Sequence, residues 1–181
     1  MEAAAAVRIR RAEPRDAAAL ARLAESTFRG AFGDANTREN MDAHCRAAYG
    51  EAIQAREIAD PGVETLVAES GEELVGYVQL RRGGAPACVV AARAIEILRF
   101  YVEASWQGKG LAQRLMSRAL ESAGESGADV VCLGVWEHNP RALAFYRKYG
   151  FTEVGEQEFR LGDDKQRDLV MALRLGAQES S

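Results

Sequence analysis

A glycine-rich junction at residues 107–112, with the sequence Gln-Gly-Lys-Gly-Leu-Ala, has the composition of a phosphate-binding turn. It follows an apolar run typical of a strand and precedes a segment with helical spacing. A helix that begins near Gly110 would present free N–H groups and the positive end of its dipole. Small residues would let a pyrophosphate approach the backbone, and Lys109 would add a cation at the rim. The junction therefore predicts an anion site.

Two common phosphate motifs do not fit this junction. A Walker loop needs Ser or Thr after its Gly-Lys pair, but Lys109 is followed by Gly110. The dinucleotide fingerprint needs a third glycine at the position of Gln113. A third pattern, Gln/Arg-x-x-Gly-x-Gly/Ala, is met at each fixed position by Gln107, Gly110 and Ala112. Spacing alone leaves a plain turn open as the alternative to phosphate binding.

Strand and helix patterns alternate along the rest of the chain. They predict strands at 7–11, 63–69, 73–82, 94–103, 129–136, 151–159 and 168–175. They predict helices at 36–49, 51–58, 110–122 and 139–149, and a first helix that opens at Pro14 and is ended by Gly30 and Gly33. The stretch 129–136 has almost no polar residues, which is typical of a strand buried on both faces. We expect an α/β fold with a mixed sheet in one domain over residues 1–176, followed by a flexible tail at 177–181.

The composition is that of an ordinary globular protein and excludes some functions. The 181 residues are 48% hydrophobic and 28% charged, with a net charge of −4, which argues against nucleic acid as the main partner. No stretch approaches the roughly 20 apolar residues of a membrane helix, and we expect a cytoplasmic protein. The cysteines Cys45, Cys88 and Cys132 are too far apart for a metal motif, so we predict reduced thiols and no metal.

Two segments carry a family resemblance. Residues 96–112, EILRFYVEASWQGKGLA, resemble the acetyl-CoA motif of the GNAT superfamily of N-acetyltransferases. Residues 133–151, LGVWEHNPRALAFYRKYGF, resemble the second signature of that superfamily, and they follow in the expected order and separation. A finer resemblance, to bacterial spermine/spermidine acetyltransferases, is suggested by AFGDANTRENM (31–41) and LGDDKQRDLVM (161–171).

The resemblance implies a fold in which two parallel central strands diverge to admit acetyl-CoA, with helices on both faces of the sheet. The backbone of the first of these strands would bind the pantetheine arm at Phe100, Tyr101 and Val102. The pyrophosphate would lie at Gln107, Gly108, Lys109, Gly110, Leu111, Ala112 and Gln113. Asn139 would hydrogen-bond the cofactor, and Lys148 would contact its phosphates. Core packing of 100–102 and an N-cap role for Asn139 are the structural alternatives.

By motif position Tyr146 would be the general acid of the reaction, in which an amine attacks the thioester directly. A phenol with a pKa of about 10 can give a proton to a leaving thiolate, since thiol pKa values lie near 8.5. The alternative is an amphipathic core tyrosine, because Tyr146 shares a helix face with Ala142, Phe145 and Tyr149. Tyr149, one helical turn later, is the second candidate for the acid.

The general base is harder to assign from the sequence. Some family members carry a glutamate where this chain has Gly134. Others place one early in the acetyl-CoA strand, where this chain has Glu96. Strand alternation would put Glu96 on the face of Leu98, Phe100 and Val102, among apolar groups. A glutamate that only reaches solvent and a chain of water molecules remain as alternatives.

The resemblance implies transfer of an acetyl group to a small primary amine, with a polyamine such as spermidine or spermine as one acceptor class. Asp34, Glu39 and Asp42 cluster where the first two helices join, and such acids would attract a cationic amine. Protein or peptide N-acetylation is the rival activity, and an acyl-CoA-binding regulatory module without turnover is the rival class. A homodimer is also left open.

Overall fold

A computed structural model describes residues 6–176, which form a seven-stranded mixed sheet with helices on both faces. The strands are β1 (Arg8–Arg11), β2 (Val63–Ser70), β3 (Glu73–Arg82), β4 (Ala94–Val102), β5 (Val130–Trp136), β6 (Thr152–Leu161) and β7 (Asp164–Arg174). The helices are α1 (Ala17–Phe32), α2 (Arg38–Ala48), α3 (Glu51–Ala59), α4 (Leu111–Glu125) and α5 (Pro140–Lys148). None of these helices is long and apolar enough to cross a membrane. The α/β prediction is confirmed, while the predicted tail at 177–181 lies outside the described residues.

The strand order is β1-β2-β3-β4-β5-β7-β6, and only β4 and β5 are parallel neighbours. Helix α4 makes the crossover between them, as a parallel connection requires. Each face of the sheet has its own hydrophobic cluster. One includes Leu115 and Met116 of α4 with Val78, Ile97, Leu133 and Tyr146, and the other includes Leu20, Phe28 and Met41 of α1 and α2 with Val67 and Tyr77. Burial of a large apolar side chain contributes about 1.5–3 kcal/mol, so the two clusters hold the central strands in place.

The parallel strands β4 and β5 pair over only four residues each. Ala94 to Ile97 lie opposite Val130 to Leu133, and the register ends there. The β3–β4 register is irregular at the same level, since Gln79 faces Arg99 while the next residue of β3 faces Ile97. Leu98 is thus the extra residue of a bulge, and a bulge bends its strand. The bend accounts for the divergence of β4 from β5 that the resemblance implies.

The bulge also changes which face some β4 side chains occupy. Phe100 and Val102 pack with the α4/α5 cluster, as Ile97 does before the bulge. Glu96 lies on the opposite face, with Arg99 and Tyr101, which approach residues of α2 and α3. The prediction that Glu96 shares a face with Phe100 and Val102 is therefore wrong. Simple alternation fails here because the extra residue shifts the two-residue period by one.

Most element boundaries differ from the sequence prediction by one to four residues. Helix α1 continues through Gly30 and ends at Phe32, with Gly33 as its C-cap residue. The last two strands are longer than predicted, because β6 reaches Leu161 and β7 begins at Asp164 around a turn at Gly162 with φ of 62°. The mostly polar residues 160–167 resemble a loop in sequence, yet they form a paired hairpin. Leu161 is buried in the cluster that includes Leu20 and Phe28, while most of the other residues of this stretch are exposed.

Candidate active site

The gap between the diverging strands opens into a cavity of about 460 Å³. Residues from β4, β5 and β7 form one side of it, and α1, α2 and α5 contribute to the others. Its aromatic lining residues are Phe28, Phe32, Tyr49, Phe100, Tyr101, Trp136, Tyr146 and Phe159. The cavity is large enough for a small amine with an apolar body, and it lies where the two family motifs meet.

The glycine junction leads from the end of β4 into α4. Gly108 and Gly110 have φ values of 74° and 80°, and Gly110 is the left-handed residue that precedes the first turn of the helix. A Cβ atom at either glycine would meet nothing within 4 Å, so the backbone there is open to a ligand. Lys109 is exposed, with its ammonium 5.6 Å from the centre of the Trp106 ring. A bare helix N-terminus beside a cation suits a pyrophosphate.

A hydrogen-bond bridge connects this junction to the second motif. The Gln107 side-chain amide donates to the Val102 carbonyl at 3.3 Å, and its oxygen accepts from Arg141 of α5 at 2.6 Å. The sequence suggests no such pairing, because the two residues lie 34 positions apart. Gln107 thereby ties the end of β4 to the start of α5.

The remaining residues predicted to bind the cofactor fall into two groups. Phe100 to Val102 lie beyond the last β4–β5 pair, so their backbone has no β5 partner. Their side chains pack against the two clusters, and those of Phe100 and Tyr101 also line the cavity. Leu111 is likewise buried, whereas Ala112 and Gln113 continue the first turn of α4.

At the start of α5, Asn139 accepts a hydrogen bond from the Ala142 N–H at 3.1 Å and also lines the cavity. The alternative N-cap role is therefore present in the structure. Lys148 is exposed at the other end of α5, about 13 Å farther along the helix axis. The structure brings Asn139 to the gap but does not bring Lys148 to it.

Tyr146 lies in the wall between the cavity and the core. Its ring meets those of Phe100, Phe145 and Phe151 in edge-on arrangements, with centroids 5.5–6.4 Å apart. Burial raises the pKa of its hydroxyl, so the phenol stays protonated. No described residue forms a hydrogen bond with this hydroxyl. The other candidate, Tyr149, instead donates its hydroxyl to the Gln113 carbonyl at 3.3 Å.

Glu96 lines the cavity and is buried, so it does not simply reach solvent. Its Oε2 accepts a hydrogen bond from Arg81 Nη2 at 2.5 Å, across the β3–β4 pair. The predicted base is thus a carboxylate already held by a cation. A second ion pair lies nearby, where Arg99 Nη1 contacts both oxygens of Glu57 at 2.9 Å and the Gln79 oxygen at 2.7 Å.

The Arg99 pair is partly shielded by Tyr49, whose ring centre lies 5.2 Å from the guanidinium carbon. Burial by itself lowers the pKa of Arg99, but Glu57 together with Tyr49 and Tyr77 outweighs burial, and the pKa is raised overall. Gln54 and Gln79 also donate to Glu57, at 3.2 and 2.9 Å. These contacts hold Glu57 and Arg99 in place under α3, and the two opposite charges neutralise each other.

Asp168 of β7 is a cavity residue that the sequence analysis missed. It is 8% exposed, and burial raises the pKa of its carboxyl to about 6. No described residue donates a hydrogen bond to this carboxylate. The one sequence signal is an acid at the start of the otherwise apolar run 168–173, and only the strand register shows which face it occupies, opposite Trp136.

The acids predicted to attract the acceptor lie elsewhere. Asp42 is paired with Arg29 at 2.9 Å, and Asp34 and Glu39 are exposed. None of the three lines the cavity. His44 of α2 does line it, and its ring stacks on Phe28 with centroids 4.3 Å apart. Burial lowers the pKa of His44, which favours the neutral imidazole.

Comparison with known proteins identifies the family. Residues 18–151 match the acetyltransferase (GNAT) family. An uncharacterized N-acetyltransferase from the pepI 3′ region of Lactobacillus delbrueckii subsp. lactis is 33% identical over 169 residues, which cover 93% of this chain and 98% of the relative. An uncharacterized N-acetyltransferase of Mycobacterium tuberculosis is 35% identical over 160 residues, covering 88% and 98%.

The fold is shared with solved structures. The PaiA N-acetyltransferase from Thermoplasma acidophilum, in complex with coenzyme A, superposes with a TM-score of 0.76 at 20% identity, covering 94% of this chain and 99% of the other. The divergent strands and the bare glycine junction fit such a ligand. The chain therefore belongs to the GNAT family and is an acetyl-CoA-dependent N-acetyltransferase.

Proposed function

We propose that the protein acetylates a primary amine that binds in the cavity beside the β4–β5 gap and attacks the thioester directly. The main support for this proposal is that three features of the structure adjoin one another. The open glycine junction leads into the gap, the gap opens into an aromatic cavity, and Tyr146 lies in the wall between them. A donor and an acceptor could therefore be bound at the same time.

Each part of this arrangement has a task in the transfer. Acetyl-CoA supplies an acetyl group activated as a thioester. The unpaired edge of β4 beyond Ile97 offers backbone groups to the pantetheine arm, as a sheet edge does to a peptide. Amides at the start of α4 hold the pyrophosphate. Tyr146 holds a proton on its hydroxyl and gives it to the departing sulfur, for which a protonated phenol is required.

The charges in the cavity favour an acceptor with one positive charge. Glu57 is neutralised by Arg99 and Glu96 by Arg81, which leaves Asp168 as the carboxylate without a cationic partner among the described lining residues. A polyamine, the acceptor class that the resemblance suggests, would bring two or more charges to this site. The aromatic walls are better matched to an amine with an apolar body.

A thiol-release assay across an amine panel tests the proposal. The panel contains 2-phenylethylamine, spermidine and a short peptide with a free N-terminus, each with acetyl-CoA. We expect release of coenzyme A with 2-phenylethylamine at a higher kcat/KM than with spermidine. A preference for spermidine would indicate a polyamine acceptor instead of an apolar monoamine. A preference for the peptide would favour protein or peptide N-acetylation. Thiol release no faster with any amine than without one would overturn the proposed function.

A further inference from the structure

The proton that the acceptor must lose has no obvious destination in the family motifs. An alkylammonium has a pKa near 10.4 and cannot attack until it is deprotonated. The question rests on the proposed function and concerns the same cavity. The titratable and charged groups that face it come from six elements and one loop position: Arg81 (β3), Glu96, Arg99 and Tyr101 (β4), Asp168 (β7), His44 (α2), Glu57 (α3), Tyr146 (α5) and Tyr49, which follows α2.

Most of these groups are already engaged. Glu96 is bound by Arg81, and a proton on its carboxyl would weaken that ion pair. Glu57 accepts hydrogen bonds from Arg99 and from two glutamines. His44 packs against the rings of Phe28 in α1, Tyr49 after α2 and Phe159 in β6, and none of these contacts involves β4 or β5. Each of these groups is poorly placed or poorly disposed to accept a proton at the gap.

Asp168 differs in both respects. It lies opposite Trp136 across the β5–β7 pair, but its carboxylate reaches back toward Gly134. Its Oδ2 is 3.2 Å from the point where a Cβ of Gly134 would stand. Gly134 is the first β5 residue beyond Leu133, where pairing with β4 ends. The carboxylate therefore lies at the mouth of the gap, and the missing side chain at 134 leaves it uncovered there.

The surroundings of Asp168 are suited to an incoming ammonium. Asp168 is 8% exposed as a residue, and its carboxylate has no protein donor among the described residues. A buried carboxylate without a partner is costly, so a cation that binds there is stabilised by more than a surface pair would be. Gln157, the β6 neighbour of Asp168 in register, places its amide over Gly134 and borders the same space.

We propose that Asp168 binds the ammonium of the acceptor and takes its proton. An N–H bond breaks, an O–H bond forms on Asp168, and the freed lone pair forms a bond to the carbonyl carbon. The carbon–sulfur bond then breaks, and the sulfur receives the Tyr146 proton. The nitrogen returns its surplus proton to the Tyr146 oxygen, and Asp168 releases its own to solvent. Burial, which raises the pKa of this carboxyl to about 6, improves it as a base near neutral pH.

The test is the pH dependence of kcat/KM for 2-phenylethylamine in the Asp168→Asn variant. In the wild type we expect kcat/KM to fall as the pH drops below about 6, because the protonated carboxyl cannot accept the proton. Asp168→Asn should lose about 100-fold at pH 7, and its kcat/KM should rise continuously with pH as free amine accumulates. With 2,2-difluoro-2-phenylethylamine, whose ammonium is far more acidic, the deficit should shrink to a few-fold.

Three variants serve as comparisons. Glu96→Gln and His44→Gln should keep the acidic limb of the profile, and Asp163→Asn, at an exposed position in the β6–β7 turn, should match the wild type. Folding is checked by circular dichroism and by calorimetric binding of acetyl-CoA.

If Asp168→Asn keeps both its rate and its acidic limb while 2-phenylethylamine is acetylated, this inference is wrong and the proposed function stands. An equal deficit with both amines would reduce Asp168 to a structural role. Absence of turnover with every amine would remove both proposals.

Discussion

The two halves of the site are built in different ways. The half that fits acetyl-CoA consists of the bare edge of β4, two left-handed glycines and the first turn of α4, so backbone groups define it. The acceptor half consists of side chains that α1, α2, β4, β5 and β7 bring together from positions up to 140 residues apart, such as Phe28 and Asp168. A backbone site tolerates many side chains, whereas a site made of side chains changes its chemistry with each substitution.

The difference predicts which substitutions should affect each half. Changes at the glycine junction should act on acetyl-CoA affinity and leave the preference among amines unchanged. Changes in the cavity should act on the amine and leave acetyl-CoA binding intact. Tyr146 lies between the two halves and should affect turnover without affecting either affinity.

Tyr146→Phe carries the largest effect. Loss of the proton donor should lower kcat with acetyl-CoA by about 100-fold, measured at saturating amine. Calorimetric affinity for acetyl-CoA should stay near that of the wild type, since the ring remains. Tyr77→Phe is the matched control, because it also removes a buried hydroxyl that has no hydrogen-bond partner. A donor thioester with a more acidic thiol should reduce the Tyr146→Phe deficit. Wild-type kcat in folded Tyr146→Phe would assign the residue to the core.

Gly110→Val should have the next largest effect. A β-branched residue does not adopt a φ of 80° without strain, so the start of α4 should reorganise. We expect acetyl-CoA affinity to fall at least about tenfold, or 1.4 kcal/mol, by calorimetry. Gly124→Val, at an ordinary position near the end of the same helix, is the control for lost helix stability. Equal acetyl-CoA affinities in the wild type and Gly110→Val would show that the pyrophosphate does not bind at this junction.

Gly134→Ala should have the smallest effect and should be confined to the amine. The added methyl would stand 2.3 Å from the Gln157 amide nitrogen, which can swing aside because it is the end of a flexible side chain. The displaced amide and the new methyl crowd Asp168, so we expect KM for 2-phenylethylamine to rise about threefold, or 0.7 kcal/mol. Acetyl-CoA affinity should not change. A selective loss of acetyl-CoA affinity would contradict the division of the site.

The same division explains what the sequence could predict. The junction at 107–112, the strand before it and the N-cap Asn139 are local patterns, and each was placed correctly. The bulge at Leu98 has no local signature, so the face of Glu96 was predicted wrongly. Asp168 was missed because its position depends on the β5–β7 register, which pairs residues 32 positions apart. Asp34, Glu39 and Asp42 do not line the cavity, because the packing of α1 and α2 on the sheet decides which of their side chains reach it, and that packing is also a long-range feature.

We propose that acetyl-CoA binds along the backbone of β4 and the start of α4. Amide chemical-shift changes in a ¹⁵N-labelled protein titrated with coenzyme A test it most directly. We expect the largest shifts at 98–102 and 108–113, with smaller shifts at cavity residues of α2 and β7. Shifts centred on α2, α3 and β7, with residues 98–102 and 108–113 unchanged, would contradict it.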